Sequence, residues 1–514
     1  MKIFLIAFLA GAVSATGFAP LGLWPLTLAA LALLIALTIN AARMRGAFAL
    51  GWGFGAGQFV IGLNWIATAF TYQAAMPAWF GWIGVVLLSL FLAIYPGIAA
   101  ALAWRAGKGA PPIFVLVFAA AWILTEYLRA VLFSGFAWNP LAAILMTDID
   151  SGVWQRALPA SARWIGTYGL SGLLILAGGA IFLAFAGRWR SAGAMLAPTI
   201  VFAALGALDM APEQGVSTSA MGDSRPAIRV IQPNIDQAHK WDAEFAARNF
   251  ARLAERTGAT GDRPRLIFWP EAAVPDYIES DPFARSRIAA LLGRDDVLML
   301  GATQLIVGEG EDGRPRITGA HNSLYAIDAR GVLLDRYDKA HLVPFGEYLP
   351  MRPLLSAIGL SRLAPGDLDF SRGPGPQTID LPGFGRAGGQ ICYEMIFSGQ
   401  VIDAANRPDF IFNPSNDAWF GAWGPPQHLA QARLRAIEEA MPIIRSTPTG
   451  ISAVIDAGGA VTHSIPFREA GTIDATLPRA GPPTLFSRFG NVLPMVFAAL
   501  LAMLAAAIGA RRRG

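Results

Sequence analysis

Cys392 is the only cysteine in 514 residues and stands in Gly389-Gln390-Ile391-Cys392-Tyr393-Glu394. Without a second cysteine an internal disulfide is excluded. The thiol either packs as a small apolar group or acts as a nucleophile. The glycine pair Gly388-Gly389 and an apolar residue precede it, and an aromatic and a carboxylate follow it. That pattern suits a thiol presented on a sharp turn after a strand. A nucleophilic thiol needs a base and a group that neutralises the oxyanion. One source is a Cys–His dyad, for which His341 and His428 are the candidates among His239, His321, His341, His428 and His463. No histidine is spaced from another, or from Cys392, as metal ligands are, so no metal site is expected. The other source is a carboxylate and an ammonium. Glu271 closes Phe268-Trp269-Pro270-Glu271, and Lys339 lies 68 residues after it and 53 before Cys392. There is no P-loop and no glycine-rich dinucleotide turn, so no cofactor and no nucleic-acid partner is expected.

These residues sit at the ends of short apolar, β-branched runs. Ala227–Gln232, Arg265–Glu271, Val297–Gly301 and Asp409–Asn413 all read as strands. Helical stretches alternate with them, for example Asp242–Thr257 and Gln427–Ala440. Alternation of this kind predicts an α/β layered domain, in which functional side chains gather at strand ends.

The rest of the chain is different. Residues 1 to 210 hold only 14 of the 76 Asp, Glu, Lys and Arg, and mean hydropathy over the whole chain is +0.45. A helix needs about 20 apolar residues to cross the hydrocarbon of a membrane. Candidate spans lie near 3–19, 22–40, 47–70, 78–104, 112–132, 164–187 and 192–210, with an eighth near 488–510. The expected organisation is a seven-helix membrane domain over 1–210, a catalytic domain over 211–487, and a last span with a basic tail over 488–514. With eight spans, Lys2, Arg43 and Arg45, Arg105 and Lys108, Arg188 and Arg190, and Arg511-Arg512-Arg513 all fall on one side. The positive-inside rule makes that side cytoplasmic and puts the catalytic part outside it, in the periplasm of a Gram-negative cell. The first 17 residues also have the look of a signal peptide, but removing them would break this charge alternation.

Glu126 and Arg129 lie one turn apart inside the fifth span, either as a mutual pair or facing a cavity. Phe133-Ser134-Gly135-Phe136-Ala137-Trp138-Asn139-Pro140 follows, an aromatic turn at the membrane interface or a lipid-access path. The Leu-, Gly- and Pro-rich stretch Ser356 to Asp380 reads either as a mobile lid or as an ordinary surface loop.

The ordered words Pro-Glu-Ala-Ala-Val-Pro (270–275), Lys-Ala-His-Leu-Val-Pro-Phe-Gly-Glu-Tyr-Leu-Pro (339–350), Ile-Cys-Tyr-Glu (391–394) and Ser-Asn-Asp-Ala-Trp-Phe-Gly (415–421) resemble the carbon–nitrogen hydrolase (nitrilase) superfamily. With the apolar spans and the 133–140 loop, nearly the whole chain resembles its membrane branch, the bacterial apolipoprotein N-acyltransferases. The resemblance implies an αββα sandwich beside the helical bundle and a Glu271, Lys339, Cys392 triad. It implies Glu347, Glu394 and Tyr393 in support, with Trp241, Asn416 and Trp419 near substrate. It also implies acyl transfer through a thioester from a phospholipid, typically phosphatidylethanolamine, to the α-amino group of a diacylglyceryl-cysteine apolipoprotein. A monomer in the inner membrane with both termini cytoplasmic is expected. The alternative is a membrane-tethered amidase acting on a small amide with the same triad.

Overall fold

The computed structural model describes residues 1–72, 77–147, 153–210, 225–240, 242–261, 263–309, 313–357 and 369–512. Among the described residues up to Met210 all regular structure is helical, and strands begin at Ala227. Five helices are long and apolar enough to cross a membrane: Phe80–Gly107, Pro111–Val131, Ala162–Phe185, Trp189–Asp209 and Val492–Arg511. A sixth candidate is the pair Met44–Gly62 and Ile66–Tyr72, bent by 49°. Lys2–Gly17 and Trp24–Ile39 are apolar but shorter. The expected count of eight spans is therefore not confirmed. All eight apolar segments are helical, but two fall short of a full crossing and one is broken. The first helix is set close against the third by small residues. A Cβ on Gly11 would lie 1.8 Å from Phe54 O, and one on Gly57 would lie 2.0 Å from Phe8 O.

The catalytic part holds two six-stranded mixed sheets among the described residues. Its strands are β1 (Ala227–Gln232), β2 (Arg265–Phe268), β3 (Val297–Glu309), β4 (Pro315–Asp328), β5 (Leu333–Asp338), β6 (Thr378–Leu381), β7 (Gly385–Gly389), β8 (Phe410–Pro414), β9 (Ile443–Ser446), β10 (Ser452–Ile455), β11 (Val461–Ile465) and β12 (Gly471–Thr476). One sheet runs β12-β1-β2-β3-β4-β5 and the other β11-β10-β9-β8-β7-β6. Both contain a parallel trio, β1-β2-β3 and β7-β8-β9, with antiparallel strands outside it.

Strand alternation sends one set of side chains between the sheets and the other outward. Val230, Phe268, Met299 and Leu324 meet Phe410, Phe412, Ile444 and Val454 in the middle layer, with Phe268 and Phe412 ring centroids 4.7 Å apart. Ile231, Ile267, Leu298 and Leu300 pack outward with Leu253 and Ile288 from helices Ala243–Thr257 and Pro282–Ala289. Those helices start at Asp242 and Asp281, whose carboxylates accept the first free backbone N–H groups. On the other side, Ile411, Ile443 and Ala453 pack against Leu429, Ala432 and Ala436 of helix Gly424–Glu439. The layers are thus helix, sheet, sheet, helix.

Helix Gly424–Glu439 also docks onto the membrane helices. Helix Ala162–Phe185 is interrupted at Gly166, φ 64°. There the Thr167 N–H donates to Glu438 Oε1 at 2.7 Å, the Arg435 guanidinium bonds Thr167 Oγ1, and Arg435 Nε pairs with Glu438 Oε2 at 2.6 Å. Arg433 donates to Met146 O at 2.9 Å. All four side chains are buried.

Candidate active site

Glu271 and Lys339 come from the first sheet. After β2 the chain folds back on β3: Trp269 N–H donates to Met299 O at 2.9 Å and Ala273 N–H to Gly301 O at 2.8 Å. Gly301 permits this approach, since a Cβ there would sit 2.7 Å from both Glu271 Cα and Ala272 N. Glu271 Oε1 accepts from Asn322 Nδ2 at 2.7 Å and lies 3.7 Å from Lys339 Nζ. Its Oε2 is buried and has no hydrogen-bond partner among the described residues. Lys339, directly after β5, donates to Glu347 Oε1 at 2.9 Å. Asn322 Nδ2 meets the same oxygen at 2.9 Å, and Glu347 Oε2 accepts from Val343 N–H at 2.8 Å. Burial works against the Lys339 ammonium, but Glu347 and Glu271 outweigh it and hold its pKa above the ordinary range. Lys339 is therefore a permanent cation.

Cys392 comes from the second sheet, three residues beyond β7. It opens a one-turn 3₁₀ helix, Cys392–Ile396, with φ 52°. A non-glycine residue in that region is strained and needs surroundings that fix it. Glu394 is one of them. Its Oε2 accepts from Ile391 N–H at 2.7 Å. Its Oε1 accepts from Tyr337 OH at 2.7 Å, Ala340 N–H at 2.7 Å and His341 N–H at 2.9 Å. Glu394 thus ties the Cys392 turn to the segment carrying Lys339. Burial lifts its carboxyl to about 7 against these bonds and the Lys339 charge. Tyr393 OH donates to Gly135 O at 3.2 Å, in the 133–140 loop.

The Cys392 thiol is pushed up by burial and by Glu271, while Lys339 pulls it down. Burial outweighs the Lys339 charge. The thiol rests protonated, so it needs a base, and the oxygen of Glu271 without a partner fits that need. Neither candidate histidine bonds the sulfur among the described residues. His428 Nε2 lies 3.1 Å from the Cys392 carbonyl oxygen, and the His341 ring stacks on Phe397 at 4.1 Å.

Two residues that sequence reasoning passed over belong here. Asn322 bridges Glu271 and Glu347. Lys240 Nζ donates to Glu271 O at 2.8 Å, and burial lowers its pKa to about 8 against Glu271 and Cys392. Nothing local marks either, although Lys240 directly precedes Trp241. Trp241 itself lies outside the described residues. The Asn416 amide faces Lys240 Nζ at 3.3 Å and Trp419 Nε1 at 3.0 Å. Trp419 stacks edge-on against Tyr72, at the end of the bent membrane pair. A cavity of about 290 Å³ adjoins the site, lined by Lys240, Phe250, Pro270, Ala272 and Arg287. Among the described residues no group of three His, Cys, Asp or Glu is placed to hold a metal ion.

In the membrane part, Glu126 Oε1 accepts from Leu141 N–H at 2.8 Å and Trp122 Nε1 at 3.3 Å, and Arg129 donates to the carbonyls of Phe136 and Trp138 at 3.1 and 2.8 Å. The two charges hold the interface loop onto its helix.

The two packed mixed sheets and the lone thiol on its strained turn fall within the part of the chain that matches the carbon–nitrogen hydrolase class. Residues 227–481 match the carbon–nitrogen hydrolase family, and residues 10–180 match the apolipoprotein N-acyltransferase N-terminal domain. Proteins named apolipoprotein N-acyltransferase from Rhizobium rhizogenes and Bradyrhizobium diazoefficiens are 35% and 36% identical, over 92% and 98% of this chain and 89% and 94% of their own. The chain belongs to the apolipoprotein N-acyltransferase family. Among solved structures it is similar to Saccharomyces cerevisiae Nit3, a member of the nitrilase superfamily, at 18% identity and TM-score 0.35, over 50% of this chain and 93% of that one. It is similar too to a carbon–nitrogen hydrolase from Helicobacter pylori G27, at 15% identity and TM-score 0.33, over 49% and 88%.

Proposed function

We propose that the chain transfers an acyl group from a phospholipid, phosphatidylethanolamine first among them, to the α-amino group of a diacylglyceryl-cysteine apolipoprotein. Cys392 is the nucleophile. The observation that carries the reading is a buried thiol that feels the charges of both Glu271 and Lys339, which lie 3.7 Å apart, with one Glu271 oxygen lacking a hydrogen-bond partner among the described residues. In the first half-reaction Glu271 takes the thiol proton while sulfur attacks the ester carbonyl. Lys339 neutralises the oxyanion, with the Tyr393 N–H as second donor. The tetrahedral adduct expels the lysophospholipid alkoxide, which takes the proton from Glu271 and leaves a thioester on Cys392. In the second half the acceptor amine attacks that thioester, Glu271 takes the amine proton, and the thiolate leaves and is reprotonated from Glu271. One hard transfer is thus split into two easier ones, with acid–base help worth about 10²–10⁴ in rate.

Glu347 and Asn322 support Lys339 and Glu271, and Glu394 supports the thiol turn. Asn416 and Trp419 line the substrate path, and Trp241, outside the described residues, is assigned to substrate by the resemblance alone; the Ser356 to Asp380 stretch, whose residues 358–368 lie outside the described ones, is read as a lid. The membrane context follows from both substrates being lipids. The eight apolar helices are read as eight crossings of the inner membrane, the two short ones and the bent pair included. Both termini are cytoplasmic, 211–487 is periplasmic, and the enzyme works as a monomer.

Mass spectrometry of purified protein mixed with phosphatidylethanolamine vesicles tests this reading. A long-chain thioester on Cys392 is expected, discharged when a diacylglyceryl-cysteine peptide is added. Wild-type protein that forms no adduct while the acceptor is withheld would sink it.

A further inference from the structure

His428 is fully buried, close to the nucleophile, and has no part in the proton transfers above. Its Nε2 faces the Cys392 carbonyl oxygen at 3.1 Å, so that nitrogen carries a hydrogen and donates. Its Nδ1 is 3.0 Å from Arg445 Nη2, a donor only, so Nδ1 accepts and the ring is neutral. Asp417 Oδ1, also 3.0 Å from Nδ1, accepts from Ser415 Oγ, and its other oxygen is paired with Arg445. Burial and the Arg445 charge favour the same neutral form.

A trans peptide is planar, with its C=O and N–H pointing in opposite directions. A donor that fixes the Cys392 carbonyl therefore also aims the Tyr393 N–H the other way. That N–H opens the 3₁₀ turn, where the first donors have no partner inside the turn.

The ring of His428 is itself held by the membrane part. It lies against Trp138 at 5.3 Å and Phe420 at 5.9 Å between centroids. The preceding residue, Gln427, accepts from Trp138 Nε1 at 2.8 Å and Asn139 Nδ2 at 3.1 Å and donates to Ala19 O at 3.1 Å. Trp138 continues to Trp65, centroids 4.5 Å apart, at the break of the bent pair. A continuous series of contacts runs from the membrane helices to the peptide after the nucleophile.

We propose that His428 is a positioning residue: it fixes the Cys392–Tyr393 peptide so that its N–H faces the oxyanion formed at Cys392, and the Trp138–Asn139 loop keeps His428 in register. The inference rests on Cys392 being the nucleophile and is independent of the natural donor and acceptor.

The test compares two reactions of Cys392 in full-length protein in detergent. A p-nitrophenyl ester acylates the thiol through a tetrahedral oxyanion. Iodoacetamide alkylates it by direct displacement at carbon, with no oxyanion. His428→Phe keeps a ring against Trp138 and Phe420 but removes the donor. Acylation should fall by about 10- to 100-fold, less than the about 10²–10³ for removing an oxyanion donor outright because the N–H is misaimed rather than lost, while alkylation changes by less than about threefold. His428→Gln, which restores an N–H donor, should recover part of the acylation rate. Equal losses in both reactions would mean that His428 only holds the thiol or the fold, and unchanged acylation would mean that it holds nothing; either overturns the proposal. In Gln427→Ala the ratio of the two rates should fall in the same direction, and an unchanged ratio would overturn the coupling to the loop. Transfer from phospholipid to peptide amine, measured separately on wild type, judges the proposed function without bearing on His428.

Discussion

The two sheets pass through the same series of pairings: antiparallel, two parallel, two antiparallel, from β12 to β5 in one and from β6 to β11 in the other. Each middle strand of a parallel trio, β2 or β8, leads within a few residues to a buried carboxylate, Glu271 in one sheet and Asp417 in the other. The two carboxylates do different work. Asp417 has both oxygens engaged, Oδ1 by the Ser415 hydroxyl and Oδ2 by Arg445. Burial raises its pKa, but the Arg445 charge and the Ser415 hydrogen bond more than reverse this and hold it at about 2. Glu271 keeps one oxygen without a partner among the described residues. The same topological position carries scaffold in one sheet and, on the proposed function, chemistry in the other. What separates them is whether the buried charge is fully paired.

The comparison is broken most severely at the atom it serves. Cys392→Ala should lose at least about 10³-fold in acyl transfer, with no thioester seen by mass spectrometry. Glu271→Gln should slow thioester formation by about 10²–10⁴ and leave thermal stability nearly unchanged. Asp417→Asn should do the reverse in kind: it leaves Arg445 buried without its charge partner, which costs about 3–5 kcal/mol, read as a lower unfolding temperature. Equal thermal losses in the two variants would end the distinction. The pH dependence sharpens it further. Asp417 is depressed in the folded state, so its contribution is present above its unfolded pKa near 4 and is lost as pH falls from there through about 2; in Asp417→Asn that part of the acid transition should vanish. Cys392 is shifted the opposite way, so its alkylation rate should still be climbing at pH 9, where a thiol of ordinary pKa near 8.5 levels off. Asn322→Ala is the mildest change. It removes one hydrogen bond to each of Glu271 and Glu347 and should lower acylation by about tenfold, the equivalent of about 1.4 kcal/mol.

Much of this was readable in the chain. β1, β2 and β8, and helices Ala243–Thr257 and Gly424–Glu439, fall within a few residues of their predicted places, because continuous apolar runs and capping residues are local signals. β3 runs to Glu309, well past the Gly301 at which its apolar run stops, because its half-exposed far end is held by β4 rather than by burial. Glu271, Lys339 and Cys392 each stand at a strand end inside a recognisable word. Asn322 and His428 do not declare themselves, since their roles depend on contacts 51 and 36 residues away in sequence. The raised thiol pKa was not legible either, because burial is a property of the packed molecule. The count of eight spans is not confirmed for a similar reason: hydropathy marks apolar stretches, but the 49° bend after Gly62 is not written in it.

The break at Gly166 has a consequence for how substrates are measured. With Thr167 held by Glu438 and Arg435, the catalytic layers stand at one height over the helices on which they rest. The site is then a depth gauge rather than an arm. On the proposed function, a reactive carbonyl or amine would be selected by the length of tether between it and its own lipid anchor, before any feature of its headgroup is read.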